Sequence, residues 1–221
     1  MRTGPAPVPQ GTASLHAHRI SAEAGRNLHL DGLLSEAVWA QAPVLSGFTQ
    51  REPLEGAEAS EGTEVWVLFD DDNLYIGIRA FDSEPQRVVS RILQRDRVME
   101  KGGFSNEPTF AGDDAVAILL DPFLDRRNAY IFATNPNGAE FDALLADEGK
   151  ELNVDWRGVW EVAGARTSEG WSAEFRIPLR TLRYPENSTR PWASTSTASS
   201  AGRTRKSSGR DGPGMVAGST G

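Results

Sequence analysis

An all-β fold, an antiparallel β-sandwich with one or two short helices, is predicted by three observations. In residues 62–81, GTEVWVLFDDDNLYIGIRAF, Val65, Val67 and Phe69 alternate, Asp70-Asp71-Asp72-Asn73 interrupts, and Leu74, Ile76 and Ile78 resume the alternation. Period-two alternation around Asp/Asn punctuation marks a half-buried antiparallel pair. Further short apolar runs follow in DDAVAILLD, NAYIFATNP, AEFDALLAD, VWEVAGART and GWSAEFRIPL, with turn signals about every 8 to 12 residues, as in a sandwich. The 221 residues give one domain enough chain for a core.

Taken in order, residues 1–18 are rich in Pro, Gly and Ala and read as a disordered lead-in, and residues 19–186 carry the folded pattern. Asp31-Gly32 is a turn, and LLSEAVWAQA after it reads as a short helix with Ser35 as cap and Val38 and Trp39 facing inward. After the loop REPLEGAEASEG comes the acidic hairpin. PQRVVSRILQRDRVM (85–99) sets apolar residues at 88, 89, 92, 93 and 98 among arginines and reads as a helix or as a strand with solvated arginines. KGGFSNEPTFAGDD is a Gly-rich loop. Asn137-Gly138 signals a hairpin between two of the later strands, and Ser168-Glu169-Gly170 joins the final pair.

Net charge is −8, with 38% hydrophobic and 24% charged residues. That balance excludes nucleic acid and anionic membrane as main partners and suits neutral sugars or cations. There are no cysteines, which removes disulfides and thiol chemistry without fixing a compartment. No apolar run reaches the ~18 to 20 residues of a membrane helix, and MRTGPAPVPQGTASLHAHRI lacks the apolar block of a signal peptide. His16, His18 and His29 have no H-E-x-x-H spacing, so a catalytic zinc site is not expected.

Sugar recognition uses flat aromatic faces with carboxylates and amides beside them. Trp156 and Trp160 in VDWRGVWEV, and Phe104 and Phe110 in the Gly-rich loop, are the candidates. Trp160 also reads as a core residue alternating with Val162, and Trp39, Trp66 and Trp171 occupy apolar periodic positions that suit core packing. Asp113 and Asp114 are adjacent carboxylates that repel unless a cation lies between them; a metal, or an arginine such as Arg126, would serve. Asp70-Asp71-Asp72 is more simply a turn. Paired acids raise the glycosidase possibility, although any acidic sandwich supplies such pairs by chance.

LDGLLSEAVWAQAPV, TEVWVLFDDDNLYIGIRAFD, DDAVAILLDPFLDRRNAYIFATNPNGAEFDALL and GWSAEFRIPLRTLRY together resemble the family 9 carbohydrate-binding modules, over about residues 19–185. The likeness is to the version at the front of large bacterial envelope proteins, where a membrane-associated region follows. It implies a non-catalytic sandwich that binds oligosaccharide or polysaccharide, with structural calcium, in a secreted or outer-envelope setting of polysaccharide capture or catabolism. On that reading Phe110, Trp156, Trp160, Asp113 and Arg126 serve the sugar, and Asp113 and Asp114 the metal. The alternatives are a plug or docking domain without sugar binding, and an activity associated with glycoside hydrolases. Three features depart from the pattern: Phe110 and Ala111 stand where sugar-binding members have a tryptophan before DDAVAILLD, the second binding aromatic that such members carry near the C-terminus has no recognisable counterpart, and Ala117 stands where relatives have Glu.

Residues 187–221 form a tail, and from 193 onward it is Ser, Thr, Gly, Ala and Arg with little apolar beyond Met215 and Val216. It reads as a flexible segment, or as a shifted frame. Codons for GVNFNRFIRRKNEEVFWAGWA can be chosen so that loss of one G yields ASTSTASSAGRTRKSSGRDGP, which is residues 193–213. In the family the last block continues with text like that second frame, which is the basis for expecting a truncation after Trp192.

Overall fold

The computed structural model describes residues 17–49, 56–96, 112–123, 125, 127–183, 197–200 and 215–216. Their strands are β1 (His18–Arg19), β2 (Thr63–Phe69), β3 (Asn73–Phe81), β4 (Val116–Leu120), β5 (Ala129–Thr134), β6 (Phe141–Ala146), β7 (Glu151–Asn153), β8 (Glu161–Thr167), β9 (Gly170–Pro178), β10 (Thr197–Ser200) and β11 (Met215–Val216). One sheet has the order β1-β2-β3-β9-β8 and the other β11-β10-β4-β5-β6-β7. All neighbours are antiparallel except β1 with β2. The all-β sandwich expected from the alternation is the observed fold.

The acidic hairpin forms as read, with Phe69 opposite Leu74. Asp70 makes the turn: its Oδ1 accepts from the amides of Asp72 (2.8 Å) and Asn73 (2.7 Å), and Tyr75 Oη donates to its Oδ2 at 2.9 Å. Burial, and then the proton shared with Asp70, push the Tyr75 hydroxyl up to about 12. Ser168-Glu169 closes the β8–β9 pair, with Thr167 opposite Gly170. Asn137-Gly138 lies in the β5–β6 connection, where the Gly138 amide bonds the Asn135 carbonyl at 2.9 Å and Gly138 has φ +73°. That loop is longer than a two-residue turn because Asn135 folds over it, its Oδ1 accepting from the amides of Asn137 and Ala139.

Strand parity places the core. Val65, Val67, Ile76, Ile78, Phe175 and Ile177 of the first sheet meet Val116, Ile118, Leu120, Tyr130 and Phe132 of the second. A side chain of this kind, buried in full, contributes on the order of 1.5–3 kcal/mol. The opposite face of the first sheet carries Leu68 and Tyr75, and the N-terminal arm covers it with Ile20, Leu28, Leu34, Val38 and Trp39. Because β3 is covered on both faces, Leu74 through Ile78 are all buried and strict alternation disappears there. Gly77 permits the arm to approach, since a Cβ at that position would lie 2.4 Å from Leu34 Cδ2 and 3.0 Å from the Trp39 ring. Glu174, fully buried on β9, ties the arm down by accepting from the amides of Asp31 (2.9 Å) and Gly32 (2.8 Å) and from Trp39 Nε1 (3.0 Å).

Several elements differ from the sequence reading. The α-helix is α1 (Ala22–Arg26), whose Ser21 cap accepts from the Ala24 amide. LLSEAVWAQA supplies only a 3-10 turn over Trp39–Gln41, because Leu34 takes a left-handed φ of +50° and Pro43 soon follows. PQRVVSRILQRDRVM gives a 3-10 turn over Pro85–Arg87 and then an irregular segment through Asp96 that belongs to no strand. Strand β7 went unread. Part of the tail is not structureless: β10 pairs with β4, with Ala198 opposite Ile118, and β11 pairs with β10.

Candidate functional site

Residues 88–96 cross one end of the second sheet as a strap, held by side chains. The Asp114 amide bonds the Val89 carbonyl at 2.9 Å, and Asp114 Oδ2 accepts from the Val89 amide at 2.6 Å. Asp113 Oδ2 accepts from the amides of Arg91 (2.8 Å) and Ile92 (2.9 Å) and from Asn135 Nδ2 (2.9 Å). Asn135 also donates to the Ile92 carbonyl, and the Asp96 amide bonds the Glu140 carbonyl at 3.0 Å. The two adjacent aspartates thus receive backbone donors from the strap and, at Asp113, the side-chain amide of Asn135.

The strap delivers Arg95 to a group of acids beside Trp156. Arg95 donates from Nη1 to Glu140 Oε2 at 2.6 Å and from Nη2 to both Asp142 Oδ1 (2.8 Å) and the Gly158 carbonyl (3.1 Å). Asp142 is fully buried, and its Oδ2 accepts from the Gly158 amide at 2.5 Å. Arg157 pairs with Asp96. Burial lifts the Glu140 carboxyl above its usual range; Arg95 pulls it down, and the charges of Asp142 and Glu161 push it up.

Trp156 is partly buried, its ring 5.1 Å from Tyr130 and 6.0 Å from Phe132. Near it in sequence Val154 and Val159 are exposed, Val159 by 67%. A partly exposed indole beside fixed carboxylates and guanidinium groups can stack against an apolar ring face and bond hydroxyls at its edge.

Trp160 lies elsewhere. It is 4% exposed, stacked on Phe175 at 5.9 Å and edge-on to Phe132 at 5.2 Å. Its parity on the segment leading into β8 turns it between the sheets, so it presents no face to a sugar and the core reading of this residue holds. Trp39 and Trp171 are core residues as expected. Trp66 is different, because it points away from Val65 and Val67 and carries the Arg79 guanidinium 5.3 Å from its ring. Phe104, Phe110 and Arg126 lie outside the described residues.

A calcium cage needs six to eight oxygens; here the Oδ2 atoms of Asp113 and Asp114 accept from strap amides, and Asp113 Oδ1 is buried without a hydrogen-bond partner. Among the described residues no three acidic or histidine side chains gather as metal ligands. Sequence reasoning missed Arg95, Glu140 and Asp142 as a group. One signal was present: Asp142 sits at a core-facing position of β6, two residues before the core-packed Leu144.

No family model matches the sequence, and no curated protein does. Among solved structures the chain is similar to a family 9 carbohydrate-binding module from Caldicellulosiruptor kristjanssonii in complex with cellotriose. The two are 16% identical, with a TM-score of 0.52, over 90% of this chain and 82% of that one. It is also similar to a candidate carbohydrate-binding protein from Bacteroides uniformis, 10% identical with a TM-score of 0.55, over 92% of this chain and 88% of that one. At those identities the likeness shows the fold, the β-sandwich of the family 9 modules.

Proposed function

We propose that this chain, which carries the fold of the family 9 carbohydrate-binding modules, binds oligosaccharide or polysaccharide without cleaving it, in an extracellular setting of polysaccharide capture. The observation that carries the reading is the likeness to a module solved with cellotriose, which extends over nine-tenths of this chain. Trp156 supplies the stacking surface, and Arg95 and Glu140 supply polar edges beside it. Nothing in this role asks for a bond to be broken: Asp142, Asp113 and Asp114 each commit an oxygen to backbone donors.

An array of neutral and acidic glycans, probed with the full chain and with Trp156→Ala, tests this reading. The full chain is expected to retain at least one oligosaccharide class, and Trp156→Ala to lose it. A blank array would favour the second reading, a docking domain without a sugar site. The specific observation on that side is how much of the Trp156 ring rests on Tyr130 and Phe132.

The tail belongs to the same proposal. Residues 193–213 are a shifted reading of a strand-bearing segment that would continue toward a membrane-associated region. The support is positional, since the Ser/Thr-rich residues Thr197–Ser200 fill the edge of β4, where the second frame reads Asn-Arg-Phe-Ile. Sequencing the gene across the codons for Pro191 to Ser194 checks it: one G more than the present reading implies is expected, and a shifted frame with no long open continuation would remove the idea.

A further inference from the structure

We infer that Asp142 and Arg95 form a clamp on the Gly158 peptide that positions Trp156 for its ligand, an assignment resting on the carbohydrate reading of this end of the sandwich. Asp142 is fully buried and stands opposite Phe132, on the face of β6 that looks into the core. A carboxylate there costs more to bury than an apolar residue would, unless its charge is paired. Its two oxygens have distinct tasks. Oδ2 takes the Gly158 amide at 2.5 Å, and Oδ1 takes Arg95 Nη2 at 2.8 Å. The same Nη2 reaches the Gly158 carbonyl at 3.1 Å. Both polar groups of Gly158 are therefore gripped by one ion pair, and Thr181 Oγ1 holds the next carbonyl, that of Val159, at 2.6 Å.

The gripped residue is the one on which the indole rests. A Cβ at Gly158 would lie 2.8 Å from Trp156 Cη2 and 3.2 Å from its Cζ3, with the Thr181 methyl 3.1 Å away. The bare Gly158 backbone thus sets the indole's position on one side, with Tyr130 and Phe132 as its other neighbours. Asp142 and Arg95 act on the ligand through Trp156 and are positioning residues. Trp156 is the residue that touches it.

The test uses the full chain with cellotriose as probe, reading affinity, tryptophan emission and melting temperature. Trp156→Ala is expected to abolish binding. Gly158→Ala puts a methyl 2.8 Å from the indole, so the ring must shift from its place against Tyr130 and Phe132, and a modest fall in melting temperature is expected without loss of the folded transition. Its emission should shift, and its affinity should fall by about tenfold, the size of one misplaced stacking contact. Asp142→Asn should change emission and affinity in the same direction. If Trp156→Ala loses binding while Gly158→Ala and Asp142→Asn bind like the parent, the clamp is overturned and the carbohydrate site stands. If Trp156→Ala binds like the parent, the site itself is wrong and the clamp falls with it. Should Asp142→Asn fail to fold, Gly158→Ala decides alone.

Discussion

Glu174 shows how a single buried carboxylate shapes pH dependence. Burial raises its carboxyl above the ordinary 4.5, and the amides of Gly32 and Asp31 only partly offset that. The folded chain therefore holds this proton more tightly than the unfolded chain does. The resulting stability is fully present below the unfolded value and is lost as pH climbs through the raised folded one. Urea unfolding from pH 4.5 upward should show the parent losing ground to Glu174→Gln, which has nothing to titrate there. A pH-independent difference between the two would contradict it. Trp39 and Trp171 were legible as core residues from periodicity alone, and Trp160 carried the same signal through its alternation with Val162. Asp142 was not singled out, because a charge at a core-facing position has meaning only once its partner Arg95, distant in sequence, is placed.

At the scale of elements, the strap too is shaped by partners distant in sequence. Hairpins such as Thr63–Phe69 with Asn73–Phe81 are specified by neighbouring text, alternation on both sides of an acidic turn, and they form where expected. Residues 88–96 have no comparable local rule. Their conformation is set by Asp113, Asp114, Asn135 and Glu140, so apolar spacing suggested a helix or a strand where neither forms. Trp39–Gln41 stays a single turn because Leu34 takes a left-handed φ of +50° before it and Pro43 follows. Asp113→Ala would strip the partner from the part-buried Arg91 and Ile92 amides and from the buried bond of Asn135 Nδ2, the last at about 1–3 kcal/mol for a buried donor left unmet. Amide hydrogen exchange should then quicken at Arg91 and Ile92 while the β3 and β9 amides stay protected. Uniform quickening across both sheets would mean that Asp113 supports the whole fold instead.

For the molecule as a whole, the sequence made the architecture visible and left the Trp156 end in pieces. A two-sheet sandwich needs only repeated alternation and turns, and the chain supplies both across most of residues 19–183. The Trp156 end is assembled from the strap, the β5–β6 connection, β6 and the loop before β8, four stretches whose meeting no local pattern announces. Trp156 was found there because an indole ahead of a strand stands out; the ion pair beneath it did not. Carbohydrate binding at the Trp156 end can be read by following the six tryptophan indole resonances during a titration with cellotriose. The Trp156 signal is expected to move in a saturable way while those of the buried Trp39, Trp160 and Trp171 stay fixed. A titration in which Trp156 holds still, whether other indoles move or none do, would contradict it.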